Sequence, residues 1–377
     1  MSKIKYLLFL LIYTKGIAQD PAFSQFYNAK SYLNPAAVGF EPGLSIASNH
    51  RVQWINLDRG FITNYVTLEK QEPTLIKKGA VGLGLSVFQT VEGFSGYNRT
   101  GAALNMNSIF GNENTTLSGG FNVRWQQERV DPSTFVFSDQ LDPIFGNVGS
   151  SSFQPNYFIP RSFFDVDAGF LIRKRLKLVS TTGAIYKPMY AFGVSMSNLL
   201  GFTQSATNSF LIDQLSGVKP RLTIHGGLEI PVTILKGVGN EIIILPVARL
   251  VSQGDQPINF KASAVQINWG TYLIIKELYL GAFFQSRRFL PDQDNTNSLV
   301  AAIGTAIPLA NTNKSISAQH KLFIGLSMDV NATGVGGSAG HAYELALRYN
   351  FSAAGNWLRK GKKNNTQNRI LDCYHFI

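Results

Sequence analysis

Across 377 residues, hydrophobic side chains make up 45% and charged ones only 15%, with 34 basic residues, 23 acidic residues and one cysteine. Ordinary soluble domains carry about 25% charge, so the chain is too apolar for an average water-facing surface, and one cysteine excludes an intramolecular disulfide. The basic excess is scattered and accompanies no nucleic-acid reader motif, which leaves anionic lipid head groups or an acidic partner for it to face.

Lys3 and Lys5 precede an apolar run, Tyr6 to Tyr13, and Gly16-Ile17-Ala18 supplies small residues where a signal peptidase needs them. This layout predicts a secretory signal peptide over 1–18, cleaved before Gln19. The apolar run falls short of the roughly 20 residues that a membrane helix needs, and no later run reaches that length. An exported, apolar, weakly charged chain without spanning helices fits a transmembrane β-barrel, whose apolarity is diluted by alternation. A soluble β-sandwich or propeller is the alternative.

Residues 19–43 do not alternate. Phe23, Phe26 and Tyr27 lie at i, i+3 and i+4, so they would share one face of a short helix. Asn34-Pro35 reads as an N-cap followed by proline at the first helical position, and Gly39 can close the turn in the left-handed region. An aromatic, capped, non-strand segment at the head of an all-β chain needs a place to bury its rings. It is expected to act as a plug or hatch, and both the lumen and the periplasmic rim would accommodate it.

Alternating segments follow at 44–54, 61–69, 79–89, 98–110, 115–129, 162–173, 189–199, 221–232, 241–252, 257–269, 278–289, 297–309, 321–331 and 341–352. They predict a barrel of about fourteen antiparallel strands over 44–352, counted to within two. In the last of them Tyr343, Leu345, Leu347, Tyr349 and Phe351 share one face, while Ala342, Glu344, Ala346 and Arg348 share the other. Leu117, Phe121, Val123 and Trp125 likewise oppose Ser118, Asn122, Arg124 and Gln126. Bulky apolar residues outside and small or polar ones inside are the inverse of a soluble protein. On this pattern Asp165, Asp167, Glu344 and Arg348 are luminal. Arg51 and Gln53 face the lumen too, with Trp54 at an interface. A luminal guanidinium needs acceptors, so Arg51 is expected to hold plug carbonyls or buried acids, or else to be solvated in a wet lumen.

An even count puts both termini on the periplasmic side and the longest loops, 130–161 and 200–220, on the outer side. Glu241 to Val251 is apolar on both faces and contains Pro246, which suggests a kink or inner packing against the plug. The segment 174–188 is irregular, and Tyr272 to Ile275 reads as strand or turn. From Ala353 onward a basic stretch, with Arg359, Lys360, Lys362, Lys363 and Arg369, predicts a periplasmic tail over 353–377.

Catalytic chemistry finds no constellation here. The five histidines show neither metal-ligand spacing nor a paired acid, and there is no nucleophile elbow or phosphate-binding loop. Gly334 to Ala339 imitates a dinucleotide fingerprint within a hairpin. Asp292-Gln-Asp294-Asn295 lacks the distal glutamate of a calcium loop. No catalytic residue, metal ligand or cofactor is therefore assigned.

Gln19-Asp-Pro-Ala-Phe-Ser-Gln-Phe26 and Tyr32-Leu-Asn-Pro-Ala-Ala-Val-Gly39 resemble the opening of the PorP/SprF family of type IX secretion system membrane proteins. Arg51-Val-Gln53-Trp54 is similar to the Arg-x-Gln-Trp that follows it there. Gly193 to Asn198, the strand 246–250, Gly281 to Arg287, His341 to Leu345 and Tyr349-Asn-Phe351 extend the likeness over the mature chain. Cys373-Tyr-His-Phe departs from the family's Cys-Pro-x-Phe. The resemblance implies an outer-membrane barrel serving export or surface retention of a large gliding adhesin. Its partners would be that client's C-terminal domain, other type IX components and outer-membrane lipid, with no nucleic acid and no reaction of its own. The Asn-Pro-Ala signature also resembles the hatch of FadL-type channels, which are fourteen-stranded, so a channel for a hydrophobic or small solute is the alternative.

Overall fold

The computed structural model describes residues 22–351 apart from 42, 58–59, 73–78, 94–95, 112–113, 132–134, 148, 150, 153–159, 180–184, 187, 203–217, 234–240, 289–295, 310–319 and 332–339. The expected leader, the tail with Cys373, the Asp292–Asn295 turn and the 334–339 glycine run lie outside the described residues.

Fourteen antiparallel strands close into one ring. They are β1 (Leu44–Gln53), β2 (Phe61–Glu72), β3 (Gly79–Glu92), β4 (Tyr97–Gly111), β5 (Thr115–Val130), β6 (Arg161–Arg175) and β7 (Met189–Ser197), followed by β8 (Arg221–Thr233), β9 (Glu241–Gln253), β10 (Ala264–Ile275), β11 (Leu278–Arg288), β12 (Thr296–Leu309), β13 (His320–Asn331) and β14 (Ala342–Phe351). Each pairs with its chain neighbours, and β1 pairs with β14 to shut the ring. The long connections 131–160 and 198–220 leave from one end, hereafter the long-loop end. The chain enters β1 and leaves β14 at the other, the terminal end. No helix among the described residues is long and apolar enough to cross a membrane; the crossing is made by strands.

Alternation sets the two faces. Leu104, Phe121, Val123, Phe170, Leu299, Ile303, Leu326 and Tyr343 point outward and are exposed. Their neighbours Asn105, Asn122, Arg124, Gly169, Ser298, Ala302, Ser327 and Glu344 point inward. An outward apolar belt has no stable place in water and a natural one in lipid.

Two expectations shift. The strand expected over 257–269 is β10, displaced to Ala264–Ile275. Residues 254–263 turn instead, held by Asn259 N–H to the Gln256 carbonyl at 2.9 Å and Ala262 N–H to the Asn259 carbonyl at 3.0 Å. Turn chemistry at Asp255, Pro257 and Asn259 thus overrides the alternation around it. In β9, Pro246 does not kink the strand. The β8–β9 pairing skips Leu228 and Glu229 opposite the donor-less proline and resumes in the same register.

Irregular backbone also surrounds the ring. A small hairpin, Leu141–Asp142 with Gly146–Asn147, stands in the longest loop, and another pairs Leu178–Val179 with Ile185–Tyr186.

A charge on the outward belt is expected to be costly. Leu104 lies mid-strand and is 66% exposed, so Leu104→Arg should cost about 2–4 kcal/mol at membrane mid-depth. That would be read as a lowered urea midpoint of the heat-modifiable folded band; Leu104→Ile should leave it unchanged.

Candidate functional site: the segment held within the ring

Residues 22–41 are buried almost throughout, and their partners come from strands on opposite sides of the ring, so they lie inside it. The expected helix over Phe23–Tyr27 is absent. That stretch is a series of bends and turns, with one helical turn at Lys30–Leu33 and a 3-10 turn at Pro35–Ala37. Its backbone groups are held by side chains of the strands. Glu344 accepts from the N–H groups of Ser24 (2.7 Å) and Gln25 (3.1 Å). Arg249 donates to the Phe23 carbonyl (3.2 Å), and Arg348 donates to the carbonyls of Tyr27 (3.3 Å) and Asn28 (2.7 Å). Irregular backbone survives at membrane depth only where protein satisfies its polar groups, and here the strands' inward side chains do so.

Three polar clusters fix the segment. Toward the long-loop end, Arg51 bridges Asp329 (2.5 Å) and Glu344 (3.2 Å) and donates to the Ser24 hydroxyl. Ser24 Oγ donates to Asp329 at 2.7 Å, and Asn49 Nδ2 donates to Glu344 at 2.7 Å. One guanidinium therefore bridges two carboxylates that also receive segment donors.

Midway, Asn34 caps the 3-10 turn by accepting from Ala36 N–H at 2.9 Å. Its amide donates to the Phe170 carbonyl at 3.0 Å and lies 3.1 Å from His225 Nε2. A Cβ on Gly169 would stand 2.0 Å from Asn34 Oδ1, so only glycine admits this contact. Asn107 Nδ2 donates to the carbonyls of Ala36 (2.8 Å) and Val38 (2.6 Å), and Ser195 Oγ donates to that of Leu33 (2.8 Å). Gly39 turns the chain at φ +66° with its Cα face against Gly82, where a Cβ would meet the Gly82 Cα at 2.7 Å.

At the terminal end, Glu41 accepts from Lys30 (2.6 Å) and Arg348 (2.8 Å). Burial works to raise the Glu41 carboxyl, but the two cations outweigh it and lower it from 4.5 to about 2. Burial likewise raises the Tyr27 hydroxyl far above its ordinary range, so it donates as a neutral phenol to the Gly226 carbonyl at 2.9 Å.

The rings find an apolar sector. Phe23, Phe26, Tyr27 and Leu33 cluster with Ile243, Leu245 and Val247 of β9, Ile274 of β10, Phe283 of β11 and Val300 of β12. This accounts for a β9 that is apolar on both faces. Phe26 and Tyr27 lie 4.3 Å apart, and Phe23 meets Tyr32 edge-on at 5.5 Å.

Other sequence candidates sit elsewhere. Asp167 accepts from Arg124 (2.8 Å) and the Asn198 N–H (2.9 Å), and Asp165 accepts from Leu200 N–H (3.1 Å). These carboxylates hold the start of the 198–220 loop and do not touch the segment in any of these bonds. Gln53 ends β1 opposite Phe61 and Ala342, and Trp54 packs edge-on to Phe61 at 4.7 Å. Ser24, Asn49, Asn107, Ser195, His225 and Asp329 were not singled out in the sequence. For the strand residues the only signal is a polar side chain on an inward face, which many residues share; Ser24 carries none beyond its place in the opening stretch. Among the described residues no cluster of metal-ligating side chains occurs.

Arg51→Ala would leave Asp329 and Glu344 buried without their cation, at about 3–5 kcal/mol; limited proteolysis should then cut within 22–41, which wild type protects. Acid provides a second check. Because Glu41 is depressed when folded, its contribution is complete above about 4.5 and is lost as pH falls toward 2. Protection of the segment should fall through that window, and Glu41→Gln should remove this share of the acid step.

The family model described as "Type IX secretion system membrane protein PorP/SprF" matches residues 16–349. No curated protein matches the chain. Among solved structures, a Pseudomonas aeruginosa FadL homologue aligns with a TM-score of 0.41 and 9% identity, over 86% of this chain and 94% of that one. The β domain of the Bordetella autotransporter BrkA aligns with a TM-score of 0.38 and 9% identity, over 82% and 98%. The CymD monoaromatic hydrocarbon channel aligns with a TM-score of 0.38 and 9% identity, over 89% and 94%.

Proposed function

The chain belongs to the PorP/SprF family of type IX secretion system membrane proteins, and from that premise we propose that it holds a secreted, adhesin-like client at its long-loop end while residues 22–41 plug the lumen. It is an outer-membrane barrel, and its family is one of secretion-system membrane proteins, not of enzymes. In this reading the long loops face outward and the termini face the periplasm, where other type IX components meet them.

The observation that carries client holding is an apolar tip above the belt. In the 131–160 loop Ile144 and Phe145 are 83% and 78% exposed. The tip is built, not slack: Asp142 accepts from the N–H groups of Ile144 (2.8 Å) and Phe145 (3.0 Å) across the Leu141–Asn147 hairpin. Asp139 accepts from Ser151 Oγ (2.7 Å) and Ser152 N–H (2.8 Å), tying the hairpin's base. At the same end Ile258 is 75% exposed. Large apolar side chains presented on ordered loops beyond the membrane favour burial against a protein partner. The client domain named by the family resemblance is the C-terminal domain of a large surface protein.

Conduction is the competing reading. A solute would need a path past the segment, whose contacts reach β6, β9 to β12 and β14. A segment so placed supports holding over conduction.

Pull-down of the tagged barrel from membranes is expected to recover a large surface protein. An Ile144→Ser, Phe145→Ser double variant should recover much less of it with unchanged heat-modifiable mobility. Empty pull-downs, together with normal surface display in a deletion strain, would sink the proposal. In planar bilayers the intact chain should stay closed, and deletion of 22–41 should open it.

A further inference from the structure

Outward side chains that stand opposite one another on neighbouring strands form rows around the ring, and these rows slope. The row that begins at Leu44, the foot of β1, crosses β2 to β6 and arrives at Met196, next to the last residue of β7. It therefore climbs from the terminal end toward the long-loop end, by about 3 Å per strand for a tilt of about 35–45°.

A second row, nearer the long-loop end, is polar across β1 to β6: His50, Asn64, Gln89, Thr100, Gln127 and Ser162. Aromatic residues of the kind that gather at a membrane interface give its depth. On β5 and β6 the row runs one outward step above Trp125 and Phe164, which are 37% and 62% exposed. Asn98 and the exposed Arg129, opposite each other, stand one step higher still. On β1 and β2 the row runs one step below Val52 and Ile62, which share a row with Tyr343. It thus descends from the headgroup layer at Gln127 into the acyl layer at His50. Beneath Trp125, Phe164 and Tyr343 come Val123, Val166 and Leu345, whereas beneath Val52 and Ile62 come His50 and Asn64.

His50 and Asn64 satisfy each other in part, with His50 Nδ1 at 2.5 Å from Asn64 Oδ1. His50 Nε2 and the Asn64 amide nitrogen make no further hydrogen bond among the described residues. An unpaired polar group below the interface is costly, so these atoms favour an outside partner that carries hydrogen-bonding groups at acyl depth. Two features favour a lipid as that partner. The row wraps six of the fourteen strands, about 24 Å of convex wall, a curve that lipid molecules follow and a rigid neighbouring barrel does not. Its upper end combines amides and hydroxyls with Arg129, which forms no ion pair among the described residues. Such groups suit sugar hydroxyls and a phosphate.

We infer that the β1–β6 wall binds an outer-leaflet glycolipid. Its phosphorylated sugar headgroup lies at Gln127, Arg129 and Ser162, and the amide or hydroxyl groups at the root of its acyl chains lie at Asn64 and His50. This placement needs the long loops to face outward and is independent of client holding.

The test uses the full chain in an uncharged detergent, with native mass spectrometry reading the fraction that keeps a bound lipid. The probes are diphosphorylated lipid A with amide-linked hydroxyacyl chains, its dephosphorylated form, and phosphatidylglycerol. Lipid A is expected to be kept at least about ten-fold better than phosphatidylglycerol. Arg129→Gln should weaken lipid A about five-fold and leave the dephosphorylated form unchanged. A His50→Leu, Asn64→Leu double variant should weaken both forms alike; all variants are checked for heat-modifiable folding. Equal retention of lipid A and phosphatidylglycerol, or lipid A retention unchanged in both variants, overturns the inference. So does a double variant that keeps lipid A but loses a membrane protein co-purifying with wild type, which would assign the wall to a protein partner.

Discussion

Everything in this molecule depends on satisfying an irregular backbone at membrane depth. A strand satisfies its polar groups through its neighbours, but residues 22–41 have no ladder to join. Their amide and carbonyl groups are met instead by side chains that alternation has already aimed inward: Glu344 and Arg348 from β14, Asn107 from β4, Ser195 from β7 and Arg249 from β9. The inward faces are polar because this coil must be solvated by protein. At Phe23–Tyr27 the same demand is met by Arg249, which holds the Phe23 carbonyl that a helix would have turned toward the Tyr27 N–H.

The lumen is correspondingly two-sided. On the β9–β12 arc it is apolar and receives Phe23, Phe26, Tyr27 and Leu33. On the β3–β7 arc it is lined by small and amide residues, and the chain at Asn34–Gly39 presses close enough to require glycine at 169 and 82. Charged groups stand at the two ends of the segment, Arg51 with its acids at one and Glu41 with its cations at the other. Apolar packing supplies attraction without direction, while the end clusters and the Asn34 cap supply the register.

Much of this was legible in the sequence, and the reasons for the rest are physical. Strand positions were readable because period-two alternation is strong when both faces have strict demands, lipid outside and protein inside. β10 was misplaced because Phe260 and Ala262 extend the alternating pattern into a stretch whose Pro257 and Asn259 form turns. The helix over Phe23–Tyr27 was wrongly expected because i, i+3, i+4 spacing also arises when three rings enter one pocket from a bent coil. Asn34, Pro35 and Gly39 were readable, being governed by local capping and φ. Asn107, Ser195 and Asp329 were not, because a polar residue on an inward face says only that it has a partner. Which partner depends on the height at which the coil crosses each strand.

The position of Ser24 has a consequence for how the ring is made. Ser24 and Gln25 are among the first described residues, yet they bond to Glu344 on the last strand, beside Arg51 and Asn49 on the first. β1 and β14 are the pair whose joining completes the cylinder, with Arg51 directly opposite Glu344. The join is therefore fastened from within by the residues that precede it in the chain. The coil and the seam thus share one carboxylate, Glu344, and a change there touches both.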